Sequence, residues 1–226
     1  MTLRRKVLIG LLVLVVVGVL AWRWVDGWAP DRADFAVQGF AADPDDAALP
    51  WSALSGRADF VYLVATAGVR GASANFLRVR EEASAAGLAV GAIHRFAVCQ
   101  PGEEQATNLL AHLPRDAREL PLAVELDAAG CDRPPSTDAL VRQLSAFLGV
   151  AEAGQSRPAV LKLSVEMAER YPLAGRLDRP LWLSRRLRQP SGERVWELWE
   201  ANPERHLPGV DRPLAWSVAR PDERET

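Results

Sequence analysis

Two kinds of hydrophobic pattern divide the chain: one unbroken apolar run near its start, and then a long series of short segments that alternate between strand and helix periodicity. From Val7 to Trp22 there is no charged residue; Arg4, Arg5 and Lys6 precede the run, and Arg23, Trp24, Asp26 and Trp28 follow it. This is the profile of a membrane-directed segment. The run falls slightly short of the roughly 20 residues that cross a bilayer, and Leu3, Trp22, Trp24 and Trp28 extend it into both interfaces. Basic residues ahead of it place the N-terminus in the cytoplasm. The expectation is a single-pass anchor in the inner membrane with the body in the periplasm or otherwise outside the cytoplasmic membrane. A signal peptide cleaved after Val19-Leu20-Ala21 is the alternative, with bulky Trp22 directly behind that site. Residues 1–25 are thus read as the anchor, 26–34 as a linker, 35–220 as the body and 221–226 as a tail.

Within the body, Phe35 to Phe40 (FAVQGF) predicts a short strand, and a small helix follows near Trp51 to Leu54. Ala58 to Ala65 predicts a second strand. Ser73 is placed to cap a helix with Phe76, Val79, Ala83 and Ala86 on one face, closed by Gly87. Leu88 to His94 is the next strand, and residues 103–113 carry Ala106, Leu109, Leu110 and Leu113 at helical spacing. A strand follows from Leu120, with Leu122, Val124 and Leu126 alternating. Beyond Pro134 and Pro135, Ser136 or Thr137 caps a helix that buries Leu140, Val141, Leu144, Phe147 and Leu148 and ends at Gly149. Pro158 to Leu163, Arg179 to Ser184, Arg194 to Trp199 and Leu214 to Val218 are further strands, the last three separated by proline-rich turns with little helix between them. Strand–helix alternation followed by strands almost alone predicts an α/β fold: an irregular TIM-like β/α barrel whose C-terminal strands are poor in helix, preceded by one transmembrane helix. In such a barrel the carboxyl ends of the strands form the active mouth, where Ala41, Ala67, His94, Cys99, Glu125, Asp127 and Trp199 are expected to gather.

Composition narrows the function. The chain has 226 residues, 49% hydrophobic and 25% charged, enough for one sizeable core. A net charge of −2 with arginines interspersed among acids gives no footprint for nucleic acid. There is no repeat of fixed period and no glycine-rich phosphate loop. The two cysteines, Cys99 and Cys131, can pair in an exported body or remain as two buried thiols.

Candidate chemistry centres on LPLAVELDAAGC, Leu120 to Cys131. Glu125 and Asp127 are two apart on a strand and so point to one side, as a paired-carboxylate mechanism requires; solvated strand-end acids are the plainer alternative. His94, at a strand end, is either a substrate contact or a hydrogen-bonded wall residue. Tyr62, Trp196 and Trp199 could stack on sugar rings; Trp182 and Trp196 are assigned to packing, leaving Trp199 as the sugar platform. His206 and the cysteines do not have zinc-site spacing, no Ser-His-Asp order stands out, and no metal or cofactor is expected. Arg185, Arg186 and Arg188 form a solvated loop or one that meets acidic peptide stems.

In order along the chain, FAVQGF, Trp51, FVYLVATAG at 60–68, AAGLAVGAIHRF at 85–96, PGEEQATNLL from Pro101, LPLAVELD, RPLWL at 179–183 and VWELWE resemble glycoside hydrolase family 25, the lysozyme-like N-acetylmuramidases. Cysteines beside the third and fourth strands resemble a bacterial subgroup of that family with an N-terminal anchor, and imply the Cys99–Cys131 disulfide. The resemblance implies an irregular barrel that cleaves the bond from N-acetylmuramic acid to N-acetylglucosamine in peptidoglycan, with peptidoglycan glycan strands as partner. Several acids of the family's pattern are replaced. Ala41 and Ala215 stand where the family carries Asp, Ala67 stands in its acidic second-strand turn, Glu200 stands for Gln, and Asp-x-Glu appears here as Glu125-x-Asp127. Asp127, at the position of the family's acid, is one methylene short, and a reach error of about 1 Å costs roughly a hundredfold. Glu125 could take over as acid, and Asp43 could swing toward the Ala41 gap. The resemblance therefore implies a peptidoglycan-directed protein with catalysis reduced or lost. A non-catalytic cell-wall glycan-binding or envelope scaffolding protein is the alternative.

Overall fold

Side chains that alternate along each strand sort into two apolar layers, and these layers define the architecture. In the computed structural model, which describes residues 3–46, 48–114, 119–153, 157–191 and 196–221 (backbone alone at 3, 4 and 6–8), the wall strands are β1 (Gln38–Ala42), β2 (Phe60–Ala67), β4 (Ala89–Ala97), β5 (Ala123–Asp127), β6 (Val160–Leu163), β7 (Leu181–Ser184), β8 (Trp196–Arg205) and β9 (Leu214–Ala219). They run in the order β1-β9-β8-β7-β6-β5-β4-β2, and pairing of β1 with β2 closes the ring into an eight-stranded barrel. A two-residue strand, β3 (Gly71–Ala72), hangs antiparallel on β2.

The TIM-like expectation holds, with one departure. All neighbours from β1–β2 round to β7–β8 are parallel, but β9 is antiparallel to both β8 and β1. The connection from Arg205 to Leu214 is too short for a crossover helix, so the chain turns back as a hairpin. The strand expected from Arg194 begins, among the described residues, at Trp196 and runs on to Arg205.

Inside the barrel, Phe60, Tyr62, Val64, Ile93, Ala123, Val160, Trp182 and Leu198 form one cluster. Outside it, α3 (Phe76–Ala85), α4 (Gly102–His112) and α5 (Thr137–Ala151) cover the wall with Phe76, Val79, Ala106, Leu109, Leu144 and Phe147. Close packing inside needs two glycines: a Cβ on Gly39 would lie 2.2 Å from the Phe60 carbonyl oxygen, and one on Gly91 would lie 2.3 Å from the Tyr62 ring.

The helix ends correct some local expectations. Ser136 caps α5, its Oγ accepting from the Ala139 N–H, but the helix passes Gly149 and ends at Ala151, which is fully buried. Ser73 lies outside the first turn of α3; its hydroxyl donates to Asp45 and accepts from the Asn75 N–H. A helix absent from the sequence reading, α6 (Val165–Arg170), is capped by Ser164 and fills the connection between β6 and β7, while α2 (Trp51–Leu54) lies where expected.

Ahead of the barrel, α1 (Leu3–Gly27) contains a segment from Ile9 to Gly27 with mean hydropathy 2.0, long and apolar enough to cross a membrane. Its last turn is bonded to the barrel. The buried Asn202 amide donates to the carbonyls of Val25, Asp26 and Trp28, the Arg205 guanidinium donates to the Gly27 carbonyl, and the His206 N–H donates to the Asp26 carbonyl. These carbonyls are among those that a helix leaves without partners at its C-terminus. Residues 28–38 then run along the outer wall, where Trp28 and Phe35 pack on Trp199.

Candidate active site

On five wall strands, moving two residues toward the carboxyl end from an apolar interior residue brings a polar one to the same face: Ile93 leads to Arg95, Ala123 to Glu125, Val160 to Lys162, Trp182 to Ser184 and Leu198 to Glu200. Register sets them side by side, with Arg95 opposite Glu125, Glu125 opposite Lys162, and Ser184 opposite Glu200. The mouth of the barrel is therefore a ring of alternating charge. Lys162 Nζ lies 2.8 Å from Glu125 Oε1 and 3.2 Å from Glu200 Oε2. Arg95 spans from Glu125, at 3.3 Å, to Asp43, at 2.8 Å, and Ser184 donates to Glu200 at 2.7 Å. Lys162 also sits 4.9 Å from the centre of the Trp182 ring below it.

Opposite this ring the wall is bare. Ala41 and Ala215 are direct cross-strand partners between β1 and β9, and both line a cavity of about 230 Å³ together with Asp43, Arg95, Glu125, Lys162 and Arg212. Arg212 is held by Asp46 at 2.8 Å.

The electrostatics follow from this arrangement. Burial pushes the Glu125 carboxyl up, but Lys162 and Arg95 together outweigh it, and the group is held below the ordinary glutamate range. Burial likewise pulls Lys162 down, and Glu200 and Glu125 outweigh that, so the ammonium stays charged. At neutral pH Glu125 is an ionised acceptor with two cations on it, which is the wrong state for a general acid. Asp127 lies one alternation further out on the same side of β5, and its Oδ1 accepts from the Ala129 N–H at 2.8 Å, turning the carboxylate toward its own loop.

Five of the candidate site residues separate into three groups. Glu125 and Glu200 meet at Lys162. Tyr62 is interior but below the mouth, 3% exposed and against Trp182 at 5.0 Å; burial, with Glu197 adding to it, raises its hydroxyl pKa. His94 and Trp199 correct the expectation, because both fall on the outward phase of their strands. His94 is fully buried between β4 and the helices, stacked on Phe147 at 4.8 Å and bonded to Thr66 and Gln105, and burial pushes it down to about 4. It is the hydrogen-bonded wall residue. Trp199 packs on Trp28 and Phe35 and donates to the Arg185 carbonyl, so no face remains for a sugar.

The sequence reading missed Arg95 and Lys162, although the signal was present: each is the single cation in a strand otherwise free of charge. Cys99 and Cys131 form a disulfide that ties the loop after β4 to the loop after β5 beside this ring. Among the described residues no group of three His, Cys, Asp or Glu side chains is placed to hold a metal ion.

No family model matches the chain, and no curated protein matches it. Solved structures do. A family 25 glycosyl hydrolase from Bacillus anthracis superposes with a TM-score of 0.77 at 22% identity, over 88% of this chain and 95% of that one. A bacterial lysozyme from Streptomyces coelicolor gives 0.70 at 20% identity, over 84% and 94%. A spore cortex lytic enzyme of Clostridium perfringens gives 0.68 at 20%, over 88% and 71%. The chain has the fold of the family 25 glycosyl hydrolases.

Proposed function

We propose that this barrel engages peptidoglycan glycan strands at its mouth, as a muramidase-type protein whose hydrolysis is reduced or lost, carried on a chain anchored in the inner membrane by α1 with the body outside the cytoplasm. The shared fold with lysozymes supports the substrate class. The observation that carries the loss of catalysis is the charge ring itself. Glycoside hydrolysis by paired carboxyls needs one protonated acid and a second carboxylate across the bond. Here Glu125 is paired with two cations, Asp127 is drawn to the Ala129 N–H, and the facing wall offers Ala41 and Ala215. Asp43 lines the same cavity but is bound to Arg95.

In this reading Glu125, Glu200 and Lys162 offer acceptors and donors to sugar hydroxyls. Asp127 is the remaining proton donor for any residual turnover. The alternative, a scaffold with no glycan contact at the mouth, keeps the fold and discards the groove.

Purified peptidoglycan incubated with the full chain, and with Asp127→Ala and Glu125→Ala, separates the readings. The expected outcome is sedimentation with peptidoglycan that Glu125→Ala weakens, together with release of reducing ends far below that of a lysozyme with intact acids. Vigorous turnover abolished by Asp127→Ala rejects the loss of catalysis. Absence of binding in all three proteins rejects the glycan reading. A soluble version must keep residues 25–28, since without them the buried Asn202 amide loses its acceptors.

A further inference from the structure

The rim between β7 and β8 carries a second feature that the glycan groove does not use. Arg185, Arg186 and Arg188 leave the end of β7 in a tight loop whose tip, Leu187, has a φ of 61°, a left-handed conformation unusual for a leucine. Leu187 is 39% exposed. The loop borders a cavity of about 480 Å³ against α6, with Ser164, Ser184 and Val165 on its walls. Arginines around a strained, outward-pointing leucine form an amphipathic edge, and backbone strain of this kind points to a role outside the packing of the core.

The position of the edge selects its partner. Leu187 N–H bonds to the Ala201 carbonyl and Arg185 N–H to the Glu200 carbonyl, while Arg186 lies 3.6 Å from Glu204. The loop is therefore laced to the segment of β8 whose next residue, Asn202, clamps the end of α1. Trp199 makes the same link from the other side, with its ring against Trp28 and its N–H on the Arg185 carbonyl. Exposed Trp22 and Trp24 mark the interfacial level of the helix, and Gly27 lies only about 5 Å of helix rise beyond Trp24. A helix bonded to the barrel through four hydrogen bonds to its last turn and a fifth to Trp28 just past it is not a free tether, so the wall at Asn202 and the loop beside it are held close to the membrane surface.

We propose that the Arg185–Arg188 edge is a membrane-contact site that takes the phosphates of anionic phospholipid headgroups in the bilayer crossed by α1, with Leu187 entering the headgroup boundary. The proposal rests on the reading of α1 as an uncleaved anchor. Glu169 on the cavity wall and Glu204 beside Arg186 set the limit of its positive side. Acidic peptide stems of peptidoglycan would suit the arginines, but they give no role to the exposed Leu187 and no reason for its attachment beside the helix exit.

The full chain, with Leu187→p-benzoylphenylalanine, is placed in nanodiscs of phosphatidylcholine with increasing phosphatidylglycerol, irradiated, and its adducts weighed. Lipid adducts that rise with phosphatidylglycerol support the proposal. Changing Arg186 and Arg188 to glutamine is then expected to shift that dependence by roughly thirtyfold, at about a fivefold effect per arginine near an anionic surface. An unchanged melting temperature shows that the double variant is folded. Adducts independent of headgroup charge, or found instead on added soluble muropeptides, overturn the proposal. A chain that fails to enter nanodiscs overturns the anchor reading and this proposal with it, an outcome visible before irradiation.

Discussion

The two halves of the barrel mouth were built on opposite terms. From β4 round to β8 the ring side chains are cross-paired: Arg95 with Glu125 and Asp43, and Lys162 with Glu125 and Glu200. From β9 to β1 the inward positions are Ala41 and Ala215, facing each other across one strand pair. The paired wall holds Glu125 ionised, because cations that stabilise a carboxylate also keep its proton off. The same cations explain how two glutamates can share an interior with so little access to water.

The charged wall is the place to break this contrast most severely. Lys162→Met leaves Glu125 and Glu200 buried without their shared cation and is expected to cost about 3 to 5 kcal/mol at neutral pH, read by urea unfolding. The pH dependence should change sign. In the native chain the folded Glu125 lies below its ordinary value, so its contribution is complete above that value and is lost as pH falls through the folded one. In Lys162→Met, Glu125 keeps only Arg95 against the burial that raises it, and the deficit should shrink as pH falls.

Refilling the empty wall sharpens the contrast next. Ala41→Asp and Ala215→Asp, combined with Asp127→Glu to restore reach, are expected to raise peptidoglycan cleavage by roughly a hundredfold or more over the native chain, measured as reducing ends released. No gain in the triple variant would mean that the paired cations on Glu125, rather than the missing acids, decide the chemistry. The smallest effect belongs to Ser184→Ala, which removes one hydrogen bond from a Glu200 still held by Lys162 and should cost about 1.5 kcal/mol in the same unfolding experiment.

Much of the fold was legible because strand alternation and helix periodicity are local. β2, β4, β6 and β7 lie within a few residues of their expected places, as do α3, α4 and α5. The misses share one cause, which is that a neighbour overrode a local signal. Gly149 continues α5 because Ala151 has a buried site to fill, and β9 turns antiparallel because the connection before it allows nothing longer. At the site, Glu125 is legible as an acid on a strand, whereas Glu200 enters only through the family resemblance. His94 and Trp199 were misplaced because a strand end was read without its phase, and in each case a single residue's shift exchanges groove for outer wall.

What the sequence alone determined is the alternation of buried and polar positions, the apolar run ahead of them, and the absence of acids at Ala41 and Ala215, since each is a property of residues and their spacing. Only the tertiary structure decided that Arg95 and Lys162 stand beside Glu125, that Asn202 closes the end of α1, and that the two alanines face one another. Those facts depend on which strands are neighbours and at what register, and hydrogen bonding across the closed barrel sets both.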